Sequence, residues 1–341
     1  MTALYVTSLA EGAGKTTICA GLAKHLPSSG KKVGFFKPII ADIRSSLEAV
    51  DQDASFIKRI LALEEPVENL CPVISGHSTL ANRIKEAYAK VAKGKDLVIV
   101  EGVWRQRPGG KPSEACYEIA EALDARVIFI GNYSAEASKE KLINIYKDFG
   151  EYALGVIVNK VPLNRLASVS TDSQFSEAGI NILGALPEDR TLFSLSVGEI
   201  AENLQGEILN SVEKSDDLVE NFMLGATIVD SGPEYFSRKV NKAVVVKSER
   251  PDMQMAALET SIKCLIINGN TAPIPAVQER AKDKNVPIII TKGDTMITVK
   301  TIEQALDKAR FNNEKKLNKL TEIMGNHFNF QKLCQELELS S

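Results

Sequence analysis

The chain alternates short, almost wholly apolar runs with longer stretches in which apolar residues recur every three or four positions. Runs at residues 3–7, 32–36, 96–100, 126–130, 154–158 and 182–186 have the length and continuity of strands buried on both faces. Between them, residues 53–63, 78–91, 113–123 and 135–149 carry the stripe of amphipathic helices, and Ile18, Leu22 and Leu26 mark a further helix after the first run. Such alternation predicts an α/β fold built on a doubly wound parallel sheet. Beyond residue 240 the pattern recurs on a smaller scale. Residues 243–246, 264–267 and 287–290 read as strands and 253–261 and 275–283 as helices, which predicts a second, smaller α/β domain. From 311 onward the chain is lysine-rich, with spaced Leu317, Leu320 and Ile323. This is the pattern of a helical tail packed on the body or a partner, or of a solvated terminal helix. The expected domains are therefore 1–190, 191–310 and a tail, 311–341.

Ligands of open parallel sheets sit at the carboxyl ends of the strands, so chemistry is sought just after each apolar run. The first run leads into Ser8-Leu9-Ala10-Glu11-Gly12-Ala13-Gly14-Lys15-Thr16-Thr17, a glycine loop set between strand and helix. Gly12 and Gly14 let the backbone approach a phosphate, and the N–H groups at the helix start favour an anion. Lys15 would reach the β- and γ-phosphates, and the Thr16 hydroxyl would ligand magnesium. Glu11, Gly12, Ala13, Gly14, Lys15, Thr16 and Thr17 thus form a phosphate-binding loop, a variant one because Leu9 stands where the strict spacing asks for glycine.

Four later positions are chemically suggestive. Lys37, just after the second run, faces the phosphates from the side opposite Lys15 or is a solvated surface lysine. In Asp51-Gln52-Asp53-Ala54, Asp53 either caps the helix it opens, the favoured reading, or helps hold a metal through water. Glu101 ends four apolar residues at a strand end, where a magnesium ligand or water-positioning group belongs. Asn159 has an amide able to read an adenine edge, or makes an asparagine turn.

Composition narrows the field. The 341 residues, 44% hydrophobic and 25% charged, suit two domains of moderate size. Forty-one basic against 44 acidic residues leave a net charge of −3 with no basic tract, which argues against nucleic acid and membrane surfaces as partners. No apolar run approaches the roughly 20 residues that span a bilayer, and the chain enters its first strand without a signal peptide, so a cytoplasmic protein is expected. Cys19, Cys71, Cys116, Cys264 and Cys334 are scattered and odd in number, which predicts reduced thiols. His25, His77 and His327 share no spacing that suggests a triad or metal site.

Gly12-Ala13-Gly14-Lys15-Thr16-Thr17, Phe36-Lys37-Pro38, Asp51-Gln52-Asp53-Ala54, Val100-Glu101-Gly102, Val158-Asn159-Lys160-Val161 and Leu183-Gly184-Ala185-Leu186-Pro187 follow one another in fixed order. Through them, residues 1 to about 190 resemble the dethiobiotin synthetase and cobyrinic acid amide synthase branch of P-loop proteins. The resemblance implies ATP and Mg2+ as cofactors, with Lys15 and Lys37 bracketing the γ-phosphate and Thr16, Asp53 and Glu101 around magnesium. Asn159 and the Pro187 loop would hold adenine, Lys15, Lys37 and Glu101 would be the catalytic residues, and a carboxylate or carbamate would accept the phosphoryl group. It also implies a homodimer. Residues 103–110, including Trp104 and Arg105, replace the small residues of dethiobiotin synthetases and argue against that reaction. Ala10 stands where the ParA and MinD partitioning ATPases carry a lysine.

Asp189-Arg190-Thr191, followed by Leu192-Phe193 in place of two glycines, and the run from Val197 to Glu202 resemble the start of a DRTGG domain. With 220–226 and 256–261 they extend a resemblance to the region preceding the catalytic domain of long bacterial phosphotransacetylases, from residue 1 to about 310. No acetyl-transferring domain follows, so no such activity is expected. The chain is expected to be a Mg-ATP-binding protein, a slow ATPase acting as a nucleotide-controlled regulatory module that meets a protein partner or small effector through the DRTGG-like domain. The alternative is an ATP-dependent synthase holding a small carboxylate or carbamate near Lys37, Trp104 and Arg105. Asn268-Gly269-Asn270 and Lys292-Gly293-Asp294-Thr295 follow two strands of the second domain and form either a small-ligand site or, the favoured reading, turns and an N-cap.

Overall fold

In the computed structural model, residues 2–41, 51–75, 80–102, 113–133, 137–225, 232–269 and 271–339 are described. They form two compact units, residues 1–188 with 316–341, and residues 189–315.

The first unit contains β1 (Thr2–Ser8), β2 (Val33–Phe36), β3 (Ile39–Ala41), β4 (Val73–Ser75), β5 (Leu97–Glu101), β6 (Arg126–Asn132), β7 (Ala153–Val161) and β8 (Ile182–Pro187). Six of these make one parallel sheet in the order β2-β5-β1-β6-β7-β8, with β1 in register against β5 (Val6↔Glu101) and β6 (Val6↔Ile128). Helices on both faces bury the strands completely: Leu4, Tyr5, Val6, Ile99 and Val100 are all 0% exposed. That double burial is why the runs read as continuous rather than alternating. The order reverses at β1, which lies between strands reached in opposite directions, so the crevice of the sheet opens at Ser8. Each expected strand is found within one to three residues. The pair β3 and β4, parallel and only three residues each, had no counterpart in the hydrophobic pattern.

The segment expected as a separate tail divides, with residues 316–341 grouped with the first unit. Helix Glu314–His327 buries Leu317, Leu320, Ile323 and Met324, and Leu320 and Met324 lie over Gly21 of helix Lys15–His25. Phe328 then forms an antiparallel bridge to Gly184 of β8, the Asn329 N–H donates to Leu183 O at 2.7 Å, and the Phe330 ring stacks on His25.

In the second unit β9 (Leu195–Ser196) pairs with β11 (Leu218–Val219). A five-stranded sheet is built from β10 (Glu207–Ile208), β12 (Asn221–Leu224), β13 (Lys242–Lys247), β14 (Ile262–Asn268) and β15 (Ile288–Thr291), in the order β10-β15-β14-β13-β12. All its neighbours are parallel except β10 with β15. Side chains alternate between two cores. Val244, Val246, Leu265 and Ile267 meet helices Pro251–Leu258 and Pro275–Asp283 on one face, while Ala243, Val245, Cys264 and Ile266 meet Val197–Asn203 and Thr295–Asp307 on the other. Ser196 and Glu199 close a capping box on helix Val197–Asn203. All five cysteines are free thiols, and among the described residues no helix is long and apolar enough to cross a membrane.

Candidate functional site

Ser8 ends β1, and its hydroxyl donates to Ala10 O (2.8 Å) while accepting from Lys15 Nζ (3.2 Å), which curls the loop back over the strand end. Gly12 and Gly14 have φ of +66° and +99°, and Gly14 opens helix Lys15–His25 without a side-chain cap. The first-turn N–H groups are therefore left for the loop's own ligand, and no acidic residue in that turn competes for them.

Across the crevice, the Thr16 hydroxyl donates to Glu101 Oε1 at 2.7 Å. Glu101 is 3% exposed, and its Oε2 is buried with no hydrogen-bond partner among the described residues. Burial raises its pKa above the ordinary glutamate value, against the pull of Lys37 and the Thr16 hydrogen bond. Burial likewise lowers the Lys15 pKa, with Glu101 opposing. Lys37, far from being a solvated lysine, lies 2.9 Å from carboxylate oxygens of both Asp51 and Asp53 and 3.8 Å from Glu101 Oε1. Burial works to lower its pKa, but Glu101, Asp53 and Asp51 together outweigh that and raise it.

The favoured reading of Asp53 as helix cap is corrected. Asp51 caps helix Gln52–Leu61 by accepting from the Ala54 N–H at 2.8 Å, and Asp53, inside the first turn, turns to Lys37. The spacing of two aspartates could have suggested either; only the helix start, one residue before Asp53, decides it.

Asn159 reaches the loop from β7. Its Nδ2 donates to Ala13 O (2.9 Å) and its Oδ1 accepts from the Lys160 N–H (2.9 Å), so both ends of the amide are engaged within the protein. Lys160, with φ +57°, places its Nζ 3.0 Å from Gly12 O. This brace had no assigned role in the sequence, although Lys160 stands beside Asn159. Pro187, buried, ends β8 opposite Val161. Residues 103–112, with Trp104 and Arg105, lie outside the described residues. Glu11 is exposed at the loop tip, Ala13 is buried beneath it, and Thr17 follows on the first helical turn.

A Cβ on Gly14 would lie 2.6 Å from Asn159 Nδ2, in a backbone conformation that side chains rarely adopt. Gly14→Ala should therefore break the Asn159 to Ala13 hydrogen bond and cost about 1–3 kcal/mol, read as a lowered midpoint in urea unfolding. A midpoint equal to wild type would show that the loop does not need this close approach.

These residues fit a nucleotide and its magnesium: uncommitted N–H groups at a helix start, a lysine and a hydroxyl beside them, and an orphaned buried carboxylate oxygen at the same strand end. A family model described as an AAA domain matches residues 2–194, more than half of the chain. The chain belongs to that AAA-domain family. Behind the AAA domain a second model, the DRTGG domain, matches residues 199–305. That segment starts after Asp189-Arg190-Thr191, whose groups are spent on structure: Asp189 caps helix Arg190–Phe193, Arg190 donates to Asn221 Oδ1 and Thr191 to Glu220 Oε1.

The phosphate acetyltransferase of Nitratidesulfovibrio vulgaris is 22% identical over 98% of this chain and 51% of its own length, and that of Nitrosomonas europaea 24% identical over 96% and 50%. The chain spans about half the length of these curated relatives. Among solved structures, the MinD cell division protein of Aquifex aeolicus is 16% identical, over 56% of this chain and 84% of that one, with a TM-score of 0.36. The protein is thus a P-loop nucleotide-binding AAA domain joined to a DRTGG domain, resembling a region of the phosphotransacetylases.

Proposed function

We propose that the AAA domain binds Mg-ATP and hydrolyses it slowly, and that its occupancy controls how the DRTGG domain meets a protein partner or small effector. The observation that carries this reading is the convergence of Lys15, Thr16, Lys37 and Glu101 on one strand-end crevice. Bound Mg-ATP would supply an electrophilic γ-phosphorus with its charge partly neutralised by the metal. Toward it, Lys15 and the loop N–H groups would hold phosphate oxygens, Thr16 and Glu101 would hold the metal directly, and Asp53 would do so through water. Asn159 and Lys160 keep the loop open by gripping Ala13 O and Gly12 O. With both ends of its amide so engaged, Asn159 must exchange a partner before it can read adenine.

Lys37 supports the regulatory reading over a synthase. Its ammonium is neutralised by Asp51, Asp53 and Glu101, so a carboxylate or carbamate acceptor would have to compete with three carboxylates already on the protein. The unpaired cysteines fit a reducing compartment, the cytoplasm in this reading. A homodimer belongs to the same proposal and is read by sedimentation with and without ATP.

Steady-state phosphate release from Mg-ATP tests the proposal, alone and against small carboxylates, diamines with bicarbonate, acetyl phosphate, and ammonia or glutamine. Slow release that no compound stimulates, with tight ATP binding, is the expected outcome. Strong stimulation by one carboxylate or amine would replace the regulatory reading with the synthase.

A further inference from the structure

The sheet of the second unit contains a crevice of its own. Strand β14 leads into helix Pro275–Asp283 on one face, whereas its neighbour β15 leads into helix Thr295–Asp307 on the other. Adjacent parallel strands whose outgoing connections leave to opposite faces part at their carboxyl ends, and ligands of open α/β sheets bind in that gap. Asn268, the last residue of β14, lies there opposite Thr291 of β15.

Asn268 spans the gap. Its Nδ2 donates to Thr295 Oγ1 at 2.8 Å, in the first turn of the helix that follows β15. The residue is 3% exposed, and its Oδ1 is buried with no hydrogen-bond partner among the described residues. An amide with one end pinned and the other unmatched is costly inside a protein unless something completes it. Asp294 caps helix Thr295–Asp307, which settles the N-cap half of the sequence reading, but Asn268 is left with more than a turn to make.

The surroundings indicate what completes it. Lys247, the Cα partner of Asn268 on β13, and Lys292, just past β15, are both exposed and without an ion pair among the described residues. Helix Pro275–Asp283 begins without a side-chain cap, while Ile274, Met296 and Ile297 expose apolar surface at the starts of the two helices. A hydrogen-bond donor for the amide oxygen, an apolar body and a negative charge for the lysines describe one small molecule.

The geometry points to a second ligand site, in the DRTGG unit, at the carboxyl ends of β14 and β15. It takes a small anionic metabolite that bears an N–H or O–H donor. The donor pairs with Asn268 Oδ1, and the phosphate or carboxylate meets Lys292 with Lys247. The site is built from residues of the second unit alone, and a Lys15→Ala background keeps nucleotide off the loop during the measurement.

Full-length Lys15→Ala protein is titrated calorimetrically with adenosine monophosphate, inorganic phosphate and glutamate, and then again after adding Lys292→Ala or Asn268→Leu. Saturable binding of at least one probe is expected, weakened on the order of tenfold or more by each substitution. Preference for the nucleotide, for phosphate or for glutamate identifies the source of the anion. Because Asn268→Leu alters a buried position, its fold is checked by thermal unfolding, and the exposed Lys292→Ala carries the test if the leucine variant unfolds. Absence of saturable binding for all three probes overturns the site, as does binding that Lys292→Ala leaves unchanged.

Discussion

Lys15→Ala should abolish ATP binding, weakening affinity by at least on the order of a hundredfold, while leaving the protein as stable as wild type. The two halves of that expectation come from the same geometry. The Lys15 ammonium makes a 3.2 Å hydrogen bond to Ser8 Oγ, and burial lowers its pKa, so its removal relieves a desolvated charge while losing one modest contact. The expected change in unfolding free energy is within about 0.5 kcal/mol. With nucleotide present, the same ammonium would lie against phosphate oxygens in a water-poor crevice, where a full charge counts for several kcal/mol. Calorimetric titration with Mg-ATP and urea unfolding of the same preparation give both numbers. Unchanged ATP affinity would defeat the phosphate-loop reading, whatever the stability.

Glu101→Gln should produce the opposite division. Nucleotide affinity should change little, because the loop and Lys15 are untouched, whereas phosphate release should slow on the order of a hundredfold if Glu101 holds metal or the attacking water. Stability adds an independent check. The folded pKa of Glu101 is raised by burial, so across the window between the ordinary glutamate value and the raised one the native state binds more proton than the unfolded chain. Wild-type stability from this group is therefore present below that window and is lost as pH rises through it. The glutamine variant titrates nothing there and should keep its stability across the same range. A collapse of the fold in Glu101→Gln would instead mark the residue as structural.

Much of this site could be read from the chain because its parts are local. A strand, a glycine loop and a helix start are consecutive in sequence, and burial on both faces leaves each parallel strand as a continuous apolar run. What escaped notice depends on distance or on a single residue of phase. Lys160 braces Gly12 from β7, with β6 lying between it and β1, and no local pattern announces such a contact. Asp51 and Asp53 differ in role only because the helix starts between them. Strands of two or three residues, such as β9 and β3, are too short for a period to show. Lys37, a residue type that is usually solvated, was drawn in by three carboxylates from two other segments. In the second unit the turn-and-cap reading of residues 292–295 was right about Asp294. The unmatched amide of Asn268 appears only when strands and helices are placed in space.

The return of residues 316–341 to the first unit sets an order of assembly. A nascent chain ordinarily completes its leading domain before the next one emerges. Here the helix behind Lys15 has Gly21 covered by Leu320 and Met324, and β8 has its outer bridge from Phe328, so these contacts of the nucleotide-binding unit cannot form until the whole DRTGG unit has been synthesised. For that interval the leading unit has an unfinished sheet edge and an uncovered apolar helix face, the surfaces on which chaperones act. Translation speed across residues 189–315 therefore decides how long the leading unit waits for its last helices.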